Sequence, residues 1–376
     1  MNDFVRSVRG GSGLRQVVGV SIFNVDPYLL SLLVVIGVYG LAVLRTFDGN
    51  GSDLYFGQLA RLAIGFFMMF CLAQLSPWVF LRWAPILYVL GILMLVLVMF
   101  VGVSAKGSQR WLELPGLPRF QPSEMMKIVV PLTVAWYFRD RSLPPRFLDI
   151  AASLLIVVIP VVLVIKQPDL GSGVLIASSG IIVLFLTGIH WRWIILAACI
   201  AGVSLPVFWQ FFTDYQRQRV LTWFNPESDP LGSGWNTIQS TTAIGSGGLF
   251  GKGLGQGTQS QLHFLPESHT DFMVAVIGEE LGLIGIITLL VLYILVLGRG
   301  LYISIMTPDT FGRLVSASLS IVFFFYVFAN VAIACGLLPV TGFPLPLVSY
   351  GGTSAITLLA GFGIVMSIHS HRSWRD

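Results

Sequence analysis

Charge is scarce in this chain. Only 11% of its 376 residues are Asp, Glu, Lys or Arg, against about 25% in a soluble globular domain. Together with 55% hydrophobic residues and a mean hydropathy of +0.83, the shortage excludes a soluble globular fold and points to a polytopic membrane protein. The formal net charge of +4 is too small to argue for nucleic acid; in a membrane protein the placement of charge matters more than its sum. Cysteine is nearly absent as well. Cys71, Cys199 and Cys335 lie far apart in apolar runs, so neither a disulfide framework nor a CxxC metal site is indicated. No nucleophile elbow, Walker loop or dinucleotide fingerprint stands in a credible context, and no inverted repeat is apparent. Residues 1–25 hold Arg6, Arg9 and Arg15 but lack the apolar run and small-residue cleavage site of a signal peptide. They are expected to form a short cytoplasmic tail.

Long apolar runs are what the chain has instead. A crossing helix needs about 20 mostly apolar residues. Spans are predicted near 27–45, 57–76, 83–103, 122–138, 148–165, 172–189, 192–212, 271–297, 312–336 and 347–368. Pro131 and Pro160 interrupt the fourth and fifth, which a bundle tolerates when neighbours satisfy the freed carbonyls. The expected fold is therefore all-α and polytopic, about ten transmembrane helices in a single membrane domain over 1–376, with a large loop at 213–270 between the seventh and eighth.

Arginine sets the orientation. With the N-terminus inside, Arg82, Arg139, Arg141, Arg146, Arg192, Arg299, Arg313, Arg372 and Arg375 fall in inner segments, and an even span count returns the C-terminus to the same side. The interval 213–270 is then outside. Arg45, Arg61, Lys106, Arg110, Arg119, Lys166, Arg217, Arg219 and Lys252 oppose this topology signal near the outer face. Lysine occurs four times, at 106, 127, 166 and 252, all outer or intramembrane. Codon usage is one explanation. The other is that these sites want a compact ammonium suited to phosphate oxygens, as an anionic headgroup or a pyrophosphate would require.

The polar stretch from Gly245 to Asp271, GSGGLFGKGLGQGTQSQLHFLPESHTD, organises the chain. Gly245, Gly247, Gly248, Gly251, Gly253, Gly255 and Gly257 permit positive φ and close approach, which suits either a flexible linker or a ligand cradle. The stretch closes on Pro266, Glu267, His269 and Asp271, where a span is predicted to open. Ionisable groups at such a boundary are a functional hypothesis by default; for Asp271 a helix cap is the competing role. His263, His269 and Asp271 match no tight metal motif. Glu279 and Glu280 lie deep in the predicted eighth span and are expected to pair elsewhere, while Ala275, Gly278 and Gly282 share the Asp271 face of an ideal helix.

The fourth span carries a second constellation. Glu124 and Lys127, three apart, share one helix face and can pair. Pro131 cannot donate to the Lys127 carbonyl, so a kink is expected at the pair. An intramembrane ion pair faces a cavity, or locks two helices together, or both. Asp169 is foremost a cap for the helix that follows it. The segment Asp214 to Arg219, followed by Trp223 and Phe224, reads as interfacial with aromatic anchors.

The strings KGSQRWLELPG (106–116), RFQPSE (119–124), QPDLGS (167–172), DYQRQRV (214–220), NPESDPLGSGW (225–235), IGSGGLFGKG (244–253), TQSQLHFLPESHTDF (258–272) and PLPLVSYGG (344–352) resemble those of the SEDS family of cell-shape and division proteins. Thr353 stands where members often carry serine, and residues 1–25 hold no recognisable part of the pattern. The resemblance implies a peptidoglycan glycosyltransferase of the bacterial inner membrane, both termini cytoplasmic and residues 213–270 periplasmic. Its substrate would be lipid II, its partners a class B penicillin-binding transpeptidase, other elongation-complex membrane proteins and membrane lipid; no nucleic acid is implied.

It also assigns roles. The family's essential aspartate maps onto Asp271, as general base or cation ligand, and its intramembrane pair onto Glu124 and Lys127. Lys106, Arg110, Arg119, Arg217, Arg219, Lys252 and His269 are the remaining substrate-binding candidates. No cofactor is assigned beyond a divalent cation such as Mg²⁺ or Mn²⁺ beside the pyrophosphate. A lipid II flippase and a scaffold for the transpeptidase are the alternatives, since intramembrane charges and interrupted helices suit both.

Overall fold

The computed structural model describes residues 24–47, 52–105, 108–113, 120–211, 214–225, 227, 234–262, 264–265, 268–340 and 342–371. Each predicted span has its helix: α1 (Pro27–Leu44), α2 (Ser52–Gln74), α3 (Pro77–Val101), α4 (Pro122–Phe138), α5 (Phe147–Lys166), α6 (Leu170–Leu186), α7 (Trp191–Phe211), then α11 (Met273–Met306), α12 (Thr310–Ala334) and α13 (Ser354–Ser370). Six helices are long and apolar enough to cross a membrane by length and composition alone, and α6 and α13 are shorter apolar helices. Between α7 and α11 lie α8 (Asp214–Phe224), α9 (Trp235–Gly247) and the single turn α10 (Thr258–Gln261). A small hairpin, β1 (Val103–Ala105) with β2 (Ser108–Trp111), caps the link from α3 to α4.

Local chemistry sets the helix starts. Asp26, Asp169 and Asp309 each accept a first-turn amide, from Leu29, Ser172 and Gly312, and Pro27, Pro77 and Pro122 stand where a missing N–H costs nothing. Asp169 is thus the cap its sequence context suggests. Helix α12 is the centre of the bundle, 72% buried where α3 is 22%, and it packs on α4, α6, α11 and α13. The charges at one end of the bundle are knit together. Arg299 bridges Asp26 at 2.6 Å, His369 approaches the same carboxylate, and Arg141 pairs with Asp149.

One expectation is corrected and two gain detail. The last span begins at Ser354 rather than 347, because Pro344 and Pro346 carry no amide hydrogen and the amides of Leu345 and Tyr350 bond to Ser349 Oγ and His269 O outside any helix. The interval 213–270 is partly helical, with α9 packed on α11. Finally, the eighth span is not one continuous helix beyond Glu279 and Glu280. Gly282 has φ 68° and ψ −164°, which breaks α11 into a short first segment, Met273 to Leu281, and a long apolar remainder. That remainder, from Leu283 to Met306, rises about 36 Å at 1.5 Å per residue, enough to cross alone. Gly282 therefore does not continue the face of Asp271.

Candidate functional site

Asp271 lies in the turn before α11, one residue outside the cap position, which Phe272 occupies. The turn is tied from two sides. Asn330 of α12, fully buried, donates through Nδ2 to Asp271 O at 2.9 Å and to Phe343 O at 2.5 Å. Tyr350 N donates to His269 O at 2.8 Å, and the rings of His269 and Tyr350 meet edge to face. A Cβ on Gly342, whose φ is 78°, would lie 3.7 Å from Asp271 Oδ2, so the carboxylate stands over the loop joining α12 to α13. A buried asparagine inside an apolar helix is costly unless bonded. Here both of its donations fix the backbone on which Asp271 and the Pro-rich loop sit. The loop is further held by Gln58 Nε2, bonded to Ser349 O at 3.1 Å, and by Arg61, which donates to Tyr350 Oη at 3.0 Å and stacks over its ring at 4.2 Å.

The Glu124–Lys127 pair forms as its spacing predicts, Nζ to Oε1 at 2.5 Å with both side chains buried. It lines a mostly apolar cleft between α4, α12 and α13, with Ile128, Leu319, Val322, Phe323, Tyr326, Leu358 and Phe362. Glu124 Oε2 and Tyr326 Oη are buried with no hydrogen-bond partner, and Lys127 Nζ lies 5.2 Å from the Tyr326 ring centroid. Tyr326 in turn packs its ring on Phe343, below the Asp271 turn. The two constellations found in the sequence are therefore neighbours through Tyr326, Phe343 and Asn330. Nothing in their sequence spacing indicates this.

The remaining basic candidates scatter. Arg110 Nη1 lies 3.3 Å from Asp169, which also accepts from Gln121. Arg217 donates to the carbonyls of Trp209 and Gln210, at the end of α7. Lys106 and Arg119 lie outside the described residues, as do His263, Pro266, Glu267 and the Arg219 side chain. Among the described residues no three His, Cys, Asp or Glu side chains gather as a metal cluster.

Lys252 is paired: its Nζ bonds Glu279 Oε1 at 2.7 Å and Thr258 Oγ1 at 2.9 Å. The glycine stretch around it has a structural role of its own. In an unbroken helix the amides of Leu283 and Ile284 would bond the carbonyls of Glu279 and Glu280. Instead they donate to Gly248 O and Leu249 O, at 3.0 and 3.2 Å, while those two carbonyls accept from Lys252 N and Gly253 N, each at 2.9 Å. Residues 248–253 are thus inserted into the gap in α11 and restore its missing bonds. The insertion demands glycine. A Cβ on Gly247 would sit 1.9 Å from Gly278 O, and one on Gly251 2.2 Å from Glu280 O.

The chain matches the cell cycle protein family of FtsW, RodA and SpoVE over residues 21–374. It is 49% identical over 350 residues to peptidoglycan glycosyltransferase MrdB of Escherichia coli K12, covering 93% of this chain and 94% of that one. It is 39% identical over 294 residues to a probable peptidoglycan glycosyltransferase FtsW of Trichlorobacter lovleyi, 76% of each. Among solved structures it is similar to a chain from a peptidoglycan synthase complex that coordinates polymerization and crosslinking, with TM-score 0.83, 31% identity and 94% and 99% coverage. It is also similar to the rod shape determining protein RodA of Thermus thermophilus, with TM-score 0.71, 30% identity and 94% and 98% coverage.

Proposed function

The chain belongs to the FtsW, RodA and SpoVE family of cell cycle proteins, and we infer from that membership that it is a peptidoglycan glycosyltransferase. The observation that carries this is the 49% identity across 93% of the chain to an enzyme of that activity. Its substrate in this reading is lipid II, joined at the outer face of the bacterial inner membrane, with both termini cytoplasmic. The similarity to a chain of a peptidoglycan synthase complex supports a class B penicillin-binding transpeptidase as partner.

The chemistry asks for three things. A sugar 4-hydroxyl attacks the anomeric carbon of an α-linked lipid pyrophosphate, forming a β-1,4 bond with inversion as the pyrophosphate leaves. A carboxylate takes the hydroxyl proton, a step worth about 10²–10⁴-fold; Asp271, seated over the loop of Gly342, has that role. Positive charge must meet the departing pyrophosphate. The candidates are Arg110, Arg217, Lys252, whose ammonium also pairs with Glu279, and Lys106, Arg119 and Arg219. If Asp271 serves instead as a cation ligand, substrate phosphates would supply the other ligands, the usual Mg²⁺ arrangement. The polyprenyl tail takes the apolar cleft of Leu319, Val322, Phe323 and Phe362, at whose edge Glu124 and Lys127 stand.

Purified protein in liposomes with labelled lipid II tests the reading. Glycan polymer is the expected product. Translocation without polymer would make the chain a flippase, and neither outcome would leave it a scaffold.

A further inference from the structure

The first segment of α11 is mounted independently of the span that follows it. Gly282 turns the backbone out of the helix, so the long remainder of α11 does not by itself set the direction of Met273 to Leu281, or of the Asp271 turn at its head. Besides the ties from Asn330 and Tyr350 to the turn, what sets it is the insertion of residues 248–253, through four backbone hydrogen bonds, and the carboxylate of Glu279. That carboxylate is fully buried. It accepts from Lys252 Nζ at 2.7 Å, Thr258 Oγ1 at 3.1 Å, Gln259 N at 2.9 Å and Ser260 N at 3.2 Å. One side chain of the Asp271 segment thus gathers the glycine stretch and the start of α10, and Lys252 supplies the opposing charge.

We propose that Lys252 and Glu279 are positioning residues for glycosyl transfer: their pair clasps the glycine insertion onto the break in α11 and so holds Asp271 in its reacting position. This rests on the reading of Asp271 as the base. It reassigns Lys252, whose ammonium the sequence offers as a phosphate contact. The clasp acts on the geometry of the attacking step and not on substrate affinity. It also joins the polar loop to the site, so whatever loosens residues 248–262 loosens Asp271.

Steady-state polymerisation of labelled lipid II by Lys252→Met and Glu279→Gln separates the two roles. The clasp predicts that each lowers kcat by about ten- to a hundredfold, the range expected for slight misplacement of a reacting group, with KM unchanged. The double variant should be no worse than the poorer single one, and Lys252→Arg should retain most of the rate. A raised KM in Lys252→Met with normal kinetics in Glu279→Gln would instead make Lys252 a substrate contact and overturn the clasp. Thr258→Val, which removes one hydrogen bond to Glu279, is the milder variant should the others fail to fold, and predicts a smaller loss in kcat alone. Hydrogen exchange supplies a readout independent of activity. Lys252→Met should speed exchange in both 248–262 and 273–281; unchanged exchange there rejects the clasp. Absence of polymer from the wild-type chain would reject the glycosyltransferase reading, with the exchange result still standing.

Discussion

At the scale of single residues, Asp271 and the Glu124–Lys127 pair make contrasting demands. Asp271 is outside the cap position and only partly buried, so its carboxylate is not what starts α11. Asparagine has the same shape and caps as well as aspartate, yet it accepts no proton. Asp271→Asn should therefore fold and bind its partner while losing about 10²–10⁴-fold in polymerisation, the worth of a general base. Near-normal polymer from a well-folded Asp271→Asn protein would remove the catalytic assignment. Glu124 and Lys127 are instead coupled by burial. With side chains only 8% and 7% exposed, loss of one partner strands the other charge, at about 3–5 kcal/mol. Glu124→Ala and Lys127→Ala should each destabilise the protein in thermal melts, and the double substitution should cost less than their sum. Strict additivity would show that the two do not interact.

At the scale of elements, the break in α11 and the glycine insertion form one unit. A helix interrupted near a membrane must find partners for its freed backbone groups, because lipid offers none. Here the partners come from a segment about thirty positions earlier in the chain. The fit leaves no room for a side chain at Gly251, which has φ 76° and lies against Glu280 O and Gly282 N. Gly251→Ala should therefore destabilise the protein by more than the roughly 1–2 kcal/mol of an L-residue held in the left-handed region, read as a lowered Tm in detergent. Gly245→Ala is the matched control, since a Cβ there meets nothing within 4 Å. Equal Tm values for the two variants would contradict the insertion.

At the scale of the whole molecule, the arginine asymmetry predicts which end of the bundle meets the periplasm. Cysteine labelling tests this in a background where Cys71, Cys199 and Cys335, all exposed in apolar helices or their ends, are replaced. Ser260 is polar in sequence but 1% exposed, and would be a misleading reporter. Gln256 is exposed in the same loop, and Asp140 is exposed between α4 and α5. Gln256→Cys should react with an impermeant thiol reagent in intact spheroplasts, and Asp140→Cys only after the membrane is breached. The reverse pattern would place Asp271 on the cytoplasmic side.

Composition and apolar run length were enough to determine the class, the ten spans and most of their ends, because a bilayer imposes one length and one polarity on whatever crosses it. The Glu124–Lys127 pair was legible for a similar reason: three residues along a helix is a local distance. The glycine stretch was visible as unusual but not intelligible. Its partner, the gap at Gly282, is made only when α11 folds back beside it, and a lone Gly282 inside an apolar run carries no signal of a break. The break after Glu280 and Leu281 was hidden for that reason, since an ideal helix runs straight through it. The support of the Asp271 turn by Asn330 and Tyr350 joins residues 59 and 81 positions apart. Backbone bonds and ring contacts across such separations follow from packing α12 and α13 against the turn, and that arrangement was decided by the tertiary structure alone.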